Sequence, residues 1–166
     1  MTTLSMFVFS AIVIGGGATL VVDLWNLALA RLLGIPSLSS CLLGRWVLHM
    51  PSGVFRHRAI GNAAQKPFEC QFGLMTHYAI GVGLAAGFLL LAPHWRASPT
   101  LGPALLYGVA TVAMPFFVMQ PALGLGVASA RARRPRQARI KSLATHTAYG
   151  VGLYVWGFVA VHLIAR

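Results

Sequence analysis

Two phrases, THYAIGVGL from Thr76 and THTAYGVGL from Thr145, share Thr, His, Ala, Gly, Val, Gly and Leu at matching places. Both place a histidine second, His77 and His146. An imidazole can ligate a metal, carry a proton or hold a hydrogen bond near neutral pH. Only two residues of the chain are acidic, Asp23 and Glu69. With His49 and His57 they complete a set of four histidines and two carboxylates. Such ligands suit zinc, iron or a similar divalent metal. A second form of the same idea is a bis-histidine haem held by His77 and His146, with the glycines one turn inward leaving room for the flat macrocycle. No HxxxH or ExxH pair is present, so the ligand reading rests on segregation to one side of the chain's hydrophobic segments. The plainer alternative is a neutral imidazole hydrogen-bonded to a neighbouring helix.

A second chemical feature is MPFFVMQPALGLG. Pro115 and Pro121 each remove a backbone donor and free a carbonyl one turn upstream, and Gln120 sits between them as a polar side chain in an apolar run. The structural reading is a kinked packing helix, tolerated where neighbouring helices re-satisfy the backbone. The functional reading is an interrupted helix lining a solute path, with Asp23 or a histidine carrying protons. A metal or haem site and a small-solute or proton-coupled transporter or channel subunit are therefore the two functional alternatives, with a structural or assembly role as the remainder. Nucleophile motifs, phosphate loops and dinucleotide fingerprints are absent, so the sequence names no catalytic residue.

The elements that position these residues follow from composition. Of 166 residues, 57% are hydrophobic and 9% charged, and the mean hydropathy is +0.74. Soluble domains carry about 25% charged residues. Four apolar runs, Met6 to Ala30, Gly73 to Ala92, Pro103 to Ala128 and Thr145 to Ala165, meet the requirement of about 20 residues per span. None alternates as a lipid-facing strand would. The expected fold is all-α: one polytopic membrane domain over residues 1–166, with four transmembrane helices.

Basic residues orient it. Arg31, Arg45, Arg56, Arg58 and Lys66 separate spans one and two; Arg131, Arg133, Arg134, Arg136, Arg139 and Lys141 separate spans three and four. The connection between spans two and three holds only Arg96. Short loops rich in Lys and Arg stay cytoplasmic, so both termini are expected outside the cytoplasm, with the two basic connections inside. The net charge of +11 then reflects topology and contact with anionic lipid headgroups, through Arg45, Arg56, Arg58, Arg133, Arg134 and Arg136. No basic domain stands clear of the membrane, which argues against nucleic acid as a partner.

MTTLS lacks a basic n-region and the apolar run outlasts an h-region, so the first span reads as retained rather than cleaved. Cys41 and Cys70 fall in the first cytoplasmic connection, where thiols are expected to stay reduced. SSCLLGRWVLHMPSG predicts a short interfacial helix capped by Ser39 or Ser40 and ended by Pro51 and Gly53. Cys41, Arg45 and His49 form its polar stripe, with Arg45 snorkelling to the interface.

The repeated phrase opens spans two and four, which run in the same direction. The chain therefore reads as two helical hairpins in parallel repeat. Ala79, Gly83 and Gly87 in span two, and Ala148 and Gly152 in span four, make small-residue stripes for close helix approach. Such stripes could equally pair protomers, and a homo-oligomer is expected.

GRW followed by HM and PSGVFRH, then HYAIG, MPFFVMQPALGLG and THTAYGVGLY, together resemble an uncharacterised bacterial membrane-protein family, domain of unknown function 2938. The likeness runs nearly end to end, and QPALGLG is its most specific part. The resemblance implies a four-helix inner-membrane protein and no assigned activity, ligand or catalytic residue.

Overall fold

The computed structural model describes residues 3–164. Among them every regular element is helical: α1 (Thr3–Leu33), α2 (Ser40–His49), α3 (Glu69–Leu91), α4 (Leu101–Ala110), a short α5 (Gln120–Ala122) and α6 (Pro135–Ile164), with 3-10 turns between. Three stretches are long and apolar enough to cross a membrane: Leu4–Leu33, Glu69–Leu91 and Leu101–Ala122. The helix α6 is 30 residues long, but Arg136, Arg139 and Lys141 make its first part polar.

The short α2 forms as its sequence dictates. The Ser39 hydroxyl accepts from the Cys41 amide at 3.2 Å, meeting one of the unpaired donors of the first turn. A 3-10 turn over Met50–Ser52 follows, and Gly53 closes it at φ +76°, a left-handed conformation that glycine adopts without steric cost.

The third apolar run is not one helix. After α4 the chain turns at Thr111 and Val112, resumes as a π-helical turn over Pro115–Met119, and ends as α5. Thr111 bonds its hydroxyl to the Gly108 carbonyl at 2.5 Å, and Pro115 has no N–H to offer the Thr111 carbonyl. The run was expected to continue to Ala128. It stops at Leu123 because the Leu125 amide bonds Gln120 O (2.8 Å) and the Gly124 amide bonds Pro121 O (3.1 Å). That pair of bonds is a Schellman cap, with Gly124 at φ +92° in the position where glycine is favoured.

The chain divides into two compact units. The first comprises the described parts of Met1–Pro36, Tyr78–Thr111 and Thr145–Arg166. Its core packs Ile14, Ala18, Ala85, Phe88, Tyr149 and Leu153, with the Phe88 ring 4.7 Å from Trp95 and 5.0 Å from Tyr107. Its helices approach through small residues. A Cβ on Gly108 would lie 2.5 Å from the Gly150 Cα, and one on Gly150 2.9 Å from the Leu105 Cα. Gly83, expected in the packing stripe, has nothing within 4 Å of where its Cβ would stand; Gly81 makes the close contact instead, against Thr19.

The second unit comprises Ser37–His77 and Val112–Ala144 and carries ten of the chain's thirteen Lys and Arg residues. Here α2 crosses the start of α3 backbone to backbone: Gly44 meets the Glu69 carbonyl, and Gly73 meets that of Ser40. Cys41 and Cys70, expected to stay reduced, are joined as a disulfide in this crossing. Sequence separation alone gave no sign that the two helix starts would meet.

Candidate functional site

Arg45 anchors the second unit. It was expected at the lipid headgroups, yet it is only 6% exposed. Its Nε donates to Glu69 Oε2 at 2.8 Å and its Nη2 to Glu69 Oε1 at 2.7 Å, the two-pronged pairing that guanidinium geometry favours. Nη1 donates to the carbonyls of Ile60, Gly61 and Ala63 at 3.2–3.4 Å. Glu69 also accepts from the Lys66 amide at 3.0 Å. One guanidinium thus fixes the end of the 57–63 loop to the start of α3, and Arg45 turns inward rather than snorkelling to the interface.

Two histidines flank this anchor. His49 donates from Nδ1 to the Arg45 carbonyl at 2.7 Å, and its ring meets that of His57 edge-on at 5.1 Å. Burial, and then the neighbouring His49 charge, hold His57 below its ordinary pKa of 6.5, so it is neutral at pH 7. His57 Nε2 is buried with no hydrogen-bond partner.

The backbone of that loop runs beside the end of the interrupted helix. The His57 amide donates to Ala122 O at 2.8 Å and the Ile60 amide to Leu123 O at 3.1 Å. Gly124 lies so close to the His57 and Arg58 carbonyls that any Cβ there would collide with them. Two residues before Ala122 stands Gln120, 6% exposed, where the π-helical turn closes through its amide on Pro115 O. Its side-chain Nε2 donates to Ser142 Oγ at 3.2 Å, and Oε1 is buried without a partner.

Unsatisfied buried polar atoms cost about 1–3 kcal/mol each, and native proteins keep few of them. His57 Nε2 and Gln120 Oε1 are the two found among the described residues, and both belong to the second unit. One is an imidazole nitrogen and the other an acceptor amide oxygen, each able to bond a small polar molecule. π-helical turns also occur often at functional sites.

A family model described as Protein of unknown function (DUF2938) matches residues 12–160. The chain belongs to that family. The DUF2938 description assigns no activity or ligand, and no curated protein and no solved structure matches the chain.

The six residues read from the sequence as a ligand set are not gathered into one. Among the described residues no group of three or more His, Cys, Asp or Glu is placed to hold a metal ion. His49, His57 and Glu69 fall around Arg45, but Glu69 is committed to the guanidinium. His77 belongs to the second unit and His146 to the first. His146 Nδ1 lies 2.8 Å from Thr111 Oγ1; because that hydroxyl donates to Gly108 O, the imidazole is the donor. Asp23 accepts from the Tyr78 hydroxyl at 3.0 Å in the first unit. Arg56, Arg58, Arg133, Arg134 and Arg136 are exposed. Pro115 is buried and Pro121 half-buried beside Gln120. Sequence reasoning missed Ser142 and the role of Arg45. Their partners are set by tertiary placement, so neither leaves a spacing signal.

Proposed function

We propose that this chain is a four-span protein of a bacterial inner membrane, with α6 as the fourth span, that passes a small polar solute through its interrupted third span. The observation that carries this reading is the Gln120 amide, buried at the π-helical break with one end unpaired. A buried acceptor serves a neutral molecule bearing hydroxyl or amide donors, and His57, on the loop whose backbone pairs with Ala122, can accept and return a proton. Pro115 and Pro121 keep the backbone from closing into a regular α-helix around that side chain. The exposed arginines contact anionic headgroups on the cytoplasmic side, and both termini lie opposite. Metal or haem chemistry draws no comparable support: no group of three or more His, Cys, Asp or Glu among the described residues is placed to hold a metal ion.

The test uses the full chain in proteoliposomes. Urea and glycerol entry is followed by light scattering, and proton entry by an enclosed pH dye. Flux well above that of empty vesicles is expected for at least one of these, and Gln120→Leu should reduce it about tenfold, as losing one hydrogen bond of ~1.4 kcal/mol would. Vesicles with folded protein that are no more permeable than empty ones defeat the reading. Orientation is checked separately on a Cys41→Ser, Cys70→Ser background. Ser98→Cys should react with impermeant thiol reagents from outside the inner membrane, and Ala132→Cys should not.

A further inference from the structure

We propose that Cys41 and Cys70 form a redox-active dithiol/disulfide couple that exchanges with low-molecular-weight thiols and disulfides. The pair is held together by more than its own bond. Cys41 is the second residue of α2 and Cys70 the second of α3, and the two helices touch through Gly44 and Gly73. The buried Arg45–Glu69 ion pair clamps the same crossing, with Arg45 one turn after Cys41 and Glu69 beside Cys70. The cysteine Cα atoms are 3.7 Å apart, inside the roughly 4.4 Å lower end of the usual range for bridged cysteines. The backbone crossing and the ion pair, rather than the sulfur–sulfur bond alone, set this approach and keep the two cysteines neighbours when the bond opens.

Placement makes the bond exchangeable. Cys70 is exposed and Cys41 half-buried, so one sulfur is open to attack and the other is positioned to resolve the adduct. Cys41 stands in the basic connection between α1 and α3, and Cys70 where that connection ends, in the first turn of α3. The cytoplasmic placement of that connection rests on the orientation proposed above, and an inert structural disulfide is not expected there.

In the oxidising direction the Cys70 thiol gives up its proton and the thiolate attacks one sulfur of a small disulfide. That disulfide bond breaks, a mixed disulfide forms on Cys70, and the first small thiolate leaves and takes up the proton. The Cys41 thiolate then attacks the Cys70 sulfur, forming the Cys41–Cys70 bond and expelling the second small thiolate, which is protonated in turn. Two electrons pass from the cysteine pair to the small disulfide. The reverse sequence reduces Cys41–Cys70 with two small thiols.

The experiment is a redox titration of the full chain in detergent, which does not depend on membrane orientation. The protein is equilibrated with glutathione buffers of varied reduced-to-oxidised ratio, quenched in acid, and free thiols are tagged with a polymeric maleimide for gel analysis. The oxidised fraction should follow the buffer ratio and reach the same curve from the reduced and the oxidised side, with the helical circular dichroism unchanged throughout. Cys41→Ser should collect one glutathionyl group on Cys70 by intact mass, and Cys70→Ser several-fold less on Cys41. A bond that survives fully reduced glutathione in the folded protein but yields after denaturation overturns the proposal. So does a pair of thiols that never joins in oxidised buffer.

Discussion

The two units solve the problem of buried polar groups in opposite ways. In the first, the polar side chains of the core are spent on nearby carbonyls. Tyr149 donates to Gly81 O at 2.6 Å, Tyr107 to Leu84 O at 2.8 Å, and Thr19 to Gly15 O at 2.8 Å. The helices there are close and lined by small residues. In the second unit a buried ion pair, a broken helix and two unpaired polar atoms stand together. The first unit reads as scaffold. The second keeps chemical potential unspent, and that is where a function should be sought, since sites violate the local rules that the rest of a fold obeys.

The largest test of this contrast is Arg45→Ala. It strips Glu69 of its partner and releases three carbonyls, so the largest loss of unfolding free energy among these variants is expected. Denaturation of the full chain in detergent measures it, and a loss below about 1 kcal/mol, typical of exposed pairs, would show that the anchor is solvated. Next comes the scaffold. Gly150→Val should cost about 1–3 kcal/mol through overpacking against Ala104 and Leu105, whereas Gly83→Val, facing open space, should stay within ~0.5 kcal/mol. Equal costs would remove the distinction between packing and exposed glycines.

The smallest effect concerns pH. The folded-state pKa of His57 lies below its unfolded value of 6.5, so the unfolded chain binds the proton first. The stability contributed by a neutral His57 is therefore complete above about pH 6.5 and is lost as pH falls through the lowered folded value. His57→Gln should flatten the fall in melting temperature on the acid side of pH 6.5. An unchanged slope would place the titrating group elsewhere.

Much of the fold was legible in the chain because hydrophobic runs and end signals are local. The Ser39 cap and the Gly53 stop were readable from a few neighbouring residues, and the two prolines marked the third run as irregular, although its turn falls at Thr111 and Val112 and its end at Leu123. The candidate site was legible in part: Gln120 stood out as polar among apolar residues, and His57 as an imidazole between two arginines. The Arg45–Glu69 pair and the disulfide were not, because each joins segments 24 or 29 residues apart, and nothing in either segment announces the other. Arg45 was misplaced for the same reason. A polar stripe on a short helix faces water or a buried partner equally well until that partner is located. Gly83 was chosen over Gly81 because spacing shows which residues share a face but not which face meets a neighbour.

The bonds from His57 to Ala122 and from Ile60 to Leu123 also set a timetable. The loop that carries His57 is synthesised first but takes its backbone pairing from a helix end sixty-five residues further on. At ribosomal rates of about 5–20 residues per second, that delay is roughly 3–13 s. Through this interval Arg45 and Glu69 can already meet, whereas His57 must wait with its amide in water or lipid headgroups. The backbone pairing of this loop therefore has no partner until the Schellman turn at Gly124 has been synthesised.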